Sequence, residues 1–188
     1  KVTTYDYTPI AGSGDTEDNE YEPRVITETT AGQVTAKTYY AYIIDDLLNI
    51  ETQVKEVCTV PTAAFGDDSN LRTTTVSKLF NSGTLMLAAC GKPLETTYPD
   101  DQKDTYSYRF GTYPDGLTAP GSFTSDYNSR YLEETVVHGT VENPQGIENQ
   151  TTREIRIYDP VGRLLLELTQ VYTAIGYEDI EWKAQVFD

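Results

Sequence analysis

The sequence predicts an all-β protein in which repeated antiparallel hairpins form a continuous twisted or coiled sheet. Composition is the first indication. Fifteen Tyr, with abundant Thr, Val and Ile, favour strands, because branched and aromatic side chains fit a pleated, half-buried surface. Pattern is the second: runs of alternating apolar and polar residues are punctuated by Gly, Pro and Asp turns. The third is scarcity, one Met and one Trp among 188 residues, which argues against a helical bundle.

One β-rich repeat segment over residues 1–188 is expected, with loop inserts near 11–23, 59–70 and 111–128. A chain of this length buries roughly 70% of its unfolded surface. The opening run KVTTYDY, residues 1–7, alternates as a strand. Residues 11–20, AGSGDTEDNE, are polar and turn-rich, which predicts an exposed loop. Residues 24–42 read as a hairpin turning at Ala31-Gly32, where Gly32 supplies the positive φ of a tight turn.

Residues 43–58 carry two signals. Ile43, Leu47, Ile50, Val54 and Val57 recur at helical spacing. Asp45, Asp46 and Asn49 also suit a hairpin turn followed by an alternating strand. The strand reading is preferred because both flanks are β-like, with a short helix as the alternative. Residues 59–70 form a connection held by Pro61 and Gly66. Residues 71–80 alternate nearly throughout as a strand, 81–83 turn the chain, and 84–90 are more uniformly apolar, as in a strand buried on both faces.

The next hairpin pairs 91–98 with 103–110 around Tyr98-Pro99-Asp100-Asp101. Pro fixes φ there, and Asp side chains bond the local backbone. A strand at 130–141 and a turn at 142–146 follow the third insert. The best-formed unit then occupies 151–188: strand, turn at Tyr158 to Arg163, strand, looser turn, strand. Such a unit cannot bury its apolar face alone, so neighbours must stack into a continuous core.

Net charge narrows the partners. Formal charge is −16, so phosphate backbones are repelled and nucleic acid is not an expected partner. The charge favours solubility over association, with cation binding as the sharper reading. No apolar run approaches the ~20 residues that span a bilayer, and no signal peptide is evident. Lys1 in place of an initiator Met suggests a processed protein or an excised piece.

Cys58 and Cys90 lie 32 positions apart (90 − 58). A disulfide closing that loop would contribute about 3–4 kcal/mol on the entropic account; two separately buried thiols are the simpler arrangement. Without a CxxC or a His/Cys cluster, zinc is not expected.

Tyr158-Asp159-Pro160-Val161-Gly162-Arg163-Leu164, with a later strand ending in Val186-Phe187-Asp188, resembles the YD-repeat pattern of Rhs-type bacterial proteins. Thr105-Tyr106-Ser107-Tyr108, the run from Thr38 to Tyr42 and Thr4-Tyr5-Asp6-Tyr7 are similar to strand ends of that pattern. Tyr98-Pro99-Asp100 resembles the family's Tyr-Pro-Asp-Gly turn, with Asp101 where Gly is usual. The likeness covers the last forty residues well and the remainder in pieces. It implies a β ribbon coiling into a hollow shell, within a large secreted or surface protein that in some relatives encloses a toxic domain. Asp159-Pro160-Val161-Gly162 also looks superficially like a self-cleavage motif of such relatives. Arg163 follows it as in the ordinary repeat, so no proteolytic role is assigned.

Catalytic signals are sparse. His138 is the only histidine, there is no Gly-x-Ser-x-Gly elbow, and Gly12-Ser13-Gly14 lacks the remaining features of a phosphate loop. Tyr39, Tyr40, Tyr42, Tyr106, Tyr108, Tyr172, Tyr177 and Trp182 suit cross-strand aromatic ladders or, as the alternative, a sugar-stacking platform. Asn149-Gln150-Thr151 is a glycosylation sequon.

The expected function is therefore structural and non-enzymatic: a repeat segment outside the cell or at its surface, stacking with neighbouring repeats or identical subunits into a shell, tube or filament. Open strand edges invite such pairing, and Val186-Phe187-Asp188 reads as an open joint. The residues marked for this role are the turn positions Tyr158, Asp159, Gly162, Arg163, Tyr98, Pro99, Asp100 and Gly32, with no cofactor. The alternative is a carbohydrate-binding β-sandwich, assisted by calcium at Asp15, Asp18 and Glu20.

Overall fold

A computed structural model of the chain describes residues 1–15, 21–79, 88–114, 122–139, 152–173 and 176–185. Among them there is no helix. Twelve strands run antiparallel in an open sheet: β1 (Val2–Asp6), β2 (Val25–Thr30), β3 (Gln33–Asp45), β4 (Ile50–Val57), β5 (Leu71–Lys78), β6 (Pro93–Thr97), β7 (Lys103–Thr112), β8 (Thr124–Ser125), β9 (Tyr131–His138), β10 (Thr152–Tyr158), β11 (Leu164–Thr173) and β12 (Gly176–Ala184). Strand order follows chain order, with β8 off the path as a short partner of β7. No helix among the described residues is long and apolar enough to cross a membrane.

Two compact units divide the chain: residues 1–79 with 96–101, and residues 80–95 with 102–188. In the first, β1 to β5 pair in succession. The β2–β3 turn is tighter than the single Gly32 implies: Ala31 and Gly32 both have positive φ, 51° and 81°, the pair of conformations that a two-residue turn matched to strand twist requires. Ala31 has a Cβ in a region that penalises one. Replacing Ala31 with Asn should raise stability by about 0.5–1 kcal/mol, read as a higher urea midpoint. A lower midpoint would refute that account of the turn.

Residues 43–45 and 50–57 are strand, joined by a turn at 46–49, and the helical reading is set aside. Tyr40 to Ile44 pair with Glu51 to Lys55, and the chain reverses at Asn49 with φ 56°. Asp45 Oδ1 accepts the Leu48 N–H at 2.9 Å, and Lys78 Nζ donates to the Leu48 carbonyl at 2.7 Å. These bonds satisfy the turn, so the apolar residues take the two faces of a hairpin.

The expected strand at 84–90 falls mainly outside the described residues. Its described end, 88–90, is a turn, closed by Lys92 N–H on the Ala89 carbonyl at 3.0 Å with Gly91 at φ 69°. Cys58 and Cys90 are not bonded to each other. Cys58 is buried beside the second insert, with Sγ 3.8 Å from the Ala63 carbonyl, and burial raises its pKa.

The second unit has the main apolar cluster, Tyr113, Ile157, Leu165, Leu166 and Leu168, with Phe123, Tyr131 and Ile155 against it. A register shift between Ile157 and Tyr158 leaves Leu165 as the extra residue of a bulge, so two adjacent leucines serve one cluster. Tyr113 and Phe123 come from the third insert, which is thus partly core and partly strand β8, not simply loop. Gly111 makes this possible: a Cβ there would strike the Phe123 ring and the Thr124 carbonyl.

Candidate functional site

Each insert is tied to the sheet through an arginine at its border. Arg24 follows the first. Its Nε donates to Asp15 Oδ2 at 2.6 Å and its Nη1 to the Glu22 carbonyl at 2.7 Å, while its guanidinium lies 4.6 Å from the Tyr42 ring centroid. Both side chains of the ion pair are 1% exposed. The loop at 11–20, expected to be solvated, therefore has a buried carboxylate at its described end. Burial foremost, then the Glu22 charge, pushes the Tyr42 phenol up to about 12.

Arg72 follows the second insert and meets Glu56, buried on β4. Glu56 accepts Arg72 Nε at 2.8 Å, the Gly66 N–H at 2.7 Å and Asn70 Nδ2 at 3.0 Å. Desolvation alone would raise its pKa, but donors from Gly66, Asn70 and Arg72 outweigh it and hold the carboxyl below its ordinary value. Phe65 of the same insert lies edge-on to Tyr39 and under Arg72. A polar cavity of about 230 Å³ is bounded here by Glu56, Gly66, Asp67, Asp68, Asn70 and Arg72. Asn70 Oδ1 is buried without a protein partner, the kind of acceptor an ordered water satisfies. Both Glu56 oxygens already accept, and the group stays ionised, so it anchors the loop and is poorly placed to exchange protons.

Arg109 precedes the third insert. Its Nη2 donates to Glu133 Oε2 at 2.9 Å, and its guanidinium lies 5.1 Å from the Phe123 ring. Sequence reading missed these three clamps, although one signal was present: an arginine stands within two residues of an end of every insert.

Besides Gly32 in the β2–β3 turn, the turn residues singled out from sequence form two separate corners. Asp159 Oδ1 accepts the N–H groups of Val161 and Arg163 at 3.0 and 2.8 Å, and Arg163 Nε reaches Asp159 Oδ2 at 2.6 Å. Gly162 turns with φ 86°. Burial opposes ionisation of Asp159, but the Arg163 and Val161 donors prevail and lower its pKa. Tyr158 sits at the end of β10 opposite Leu164. In the other corner the Asp101 N–H donates to the Tyr98 carbonyl at 3.0 Å, spanning Pro99 and Asp100. Asp101 adopts φ 63°, the conformation in which Gly is at ease and Asp is tolerated.

His138 is held between carboxylates, with Nδ1 2.8 Å from Asp104 Oδ1 and Nε2 3.8 Å from Glu154 Oε1. The aromatic residues do not form one platform. Tyr39 and Tyr42 are buried, and Tyr40 stacks on Tyr42 along one strand. Tyr172 and Tyr177 meet edge-on across β11 and β12, with the Arg153 guanidinium 3.8 Å over Tyr177. Among the described residues no group of three or more His, Cys, Asp or Glu is arranged to hold a metal ion. Asp15 is committed to Arg24; Asp18, Glu20, Asn149, Gln150, Thr151, Val186, Phe187 and Asp188 lie outside the described residues.

On the second unit's other face, side chains form a charge ladder. Tyr108, Glu134, Arg156, Glu167 and Lys183 stand in register across five strands. Arg156 pairs with Glu134 at 3.5 Å, with Glu167 at 3.2 Å and with Glu154. Lys92 lies 4.7 Å from the Tyr108 ring; burial lowers its pKa, opposed by Glu134. No protein-family model, curated protein or solved structure matches the chain.

Proposed function

We propose that the chain is a structural, non-enzymatic segment of YD-repeat (Rhs) type, belonging to an extracellular or cell-surface bacterial protein. In this reading it builds a β shell, tube or filament by edge-to-edge stacking with neighbouring repeats or identical subunits. One observation carries it: successive hairpins add to an open sheet in chain order, ending at β1 and β12, and an open strand edge is a template for another strand. The polar clusters fit the same role, because Asp15, Glu56, Glu133 and Asp159 are all engaged by arginine.

Light scattering and negative-stain electron microscopy across a salt series test the reading. At low salt the charge of −16 keeps copies apart. Near 1 M salt the screening length falls to about 3 Å, and end-to-end assemblies should form. A monomer at every salt and protein concentration, together with a calcium-dependent hit on a glycan array, would replace this reading with the carbohydrate-binding one.

A further inference from the structure

The edge strand β12 combines two features that serve opposite ends. Glu178, Asp179 and Glu181 are exposed along it, and acidic residues on an edge discourage pairing with a like-charged strand. The same strand exposes Ile180 at 61% and Trp182 at 40%, which an edge built only to stay unpaired would not display. Ile180 is the extra residue of a bulge, since Thr169 pairs with Glu181 and Gln170 with Asp179. Trp182 is opposite Leu168, which is itself opposite Ile155. An apolar row thus runs across three strands, from the core to an exposed indole.

On the opposite face, Glu154, Thr169 and Glu181 form a row that ends on a carboxylate. Glu178, opposite Val171, shares this face, where Lys183 contacts Glu181 at 3.1 Å, so two acids stand against one base; Asp179, opposite Gln170 and accepting from its Nε2, lies on the Trp182 face. A strand added here would place an apolar side chain beside Trp182 and needs cations beside the acids, since opposite charges across strands stabilise and like charges destabilise.

We propose that β12 receives an added strand from a polypeptide in which apolar residues alternate with Lys or Arg, in preference to a second copy of this acidic chain. The proposal rests on the structural reading above and names the partner at one of its edges. Main-chain hydrogen bonds supply affinity in such an arrangement, and the alternating side chains supply selection.

Trp182 is the sole tryptophan, so its emission reports directly on this edge. The intact chain is titrated at low salt with three nonapeptides: alternating lysine–valine, the same peptide N-methylated at successive backbone nitrogens so that neither strand edge can donate, and alternating glutamate–valine. The lysine–valine peptide should give a saturable blue shift; the other two should give none. The variant Glu178→Lys/Glu181→Lys, its fold checked by circular dichroism, should weaken binding at least tenfold.

Absence of a shift with the lysine–valine peptide overturns the proposal. So does equal binding of the N-methylated peptide, which would reduce the effect to charge attraction. A blue shift that grows with protein concentration alone would make a second copy the occupant. High-salt assembly is read separately: assembly without peptide binding removes this proposal and leaves the structural reading, and failure of both removes both.

Discussion

Replacing Arg24 with alanine is expected to cost about 3–5 kcal/mol of stability, the usual result of stranding a buried charge. The side chains of Arg24 and Asp15 are each 1% exposed, and Asp15 Oδ2 also accepts the Tyr42 N–H at 3.4 Å. Without the guanidinium, the carboxylate must regain its hydration, which pulls the first insert away from the sheet. Tyr42, whose ring packs under Arg24, loses its cover in the same step.

Arg24→Lys should recover little. An ammonium cannot span both Asp15 oxygens and the Glu22 carbonyl as the planar guanidinium does. The double variant Arg24→Met/Asp15→Leu should recover most of the loss, because removing both charges also removes their desolvation cost. Urea denaturation followed by circular dichroism gives each value. An unchanged midpoint for Arg24→Ala would show that the buried pair does not fasten this insert.

Replacing Glu56 with alanine should cost about 2–3 kcal/mol, the penalty for leaving donors without their acceptor. The effect is smaller because Arg72 is 54% exposed and turns to water once released, whereas Gly66 N–H and Asn70 Nδ2 lose a buried partner. The loss should be local. Hydrogen exchange and proteolysis should accelerate at 59–70, while β7 to β12 keep their protection. Uniform loosening of both units would contradict that account.

Acid should act on the same carboxyl. Its folded pKa lies below the ordinary value of 4.5, so near and below that value the unfolded chain binds a proton more readily than the folded one. Stability therefore increases with pH there: the Glu56 contribution is present above the unfolded pKa and disappears as pH falls through the folded pKa. Glu56→Gln should flatten the acid limb of the stability curve at 59–70. An acid limb as steep as that of the original chain would assign the effect to other carboxylates.

Much of the architecture was legible from period and punctuation. Alternation located the arms of the β2–β3 and β10–β11 hairpins, because a side-chain period of two suits a sheet with unlike faces. Gly32, Asp159 and Gly162 marked reversals through local chemistry that needs no distant partner. Residues 43–57 were ambiguous since spacings of four and three also mark a helix; pairing with β5 as well as β3 places them in the sheet. Ala31 kept its positive φ hidden, as its Cβ is disfavoured in that conformation.

By itself, the sequence determined the all-β class, the approximate strand boundaries and the acidic net charge. Those properties follow from composition and near-neighbour pattern. Only the tertiary structure decided that, among the described residues, the side chains of Asp15, Glu56 and Glu133 are buried: they have the same chemistry as the other acidic residues, and only folding brings a distant arginine to each. It also decided that the third insert contributes Tyr113 and Phe123 to the core, that the two cysteines are not bonded to each other, and that Trp182 closes an apolar row at an edge. These facts depend on which strands lie opposite one another, and register is a long-range property that local pattern does not encode.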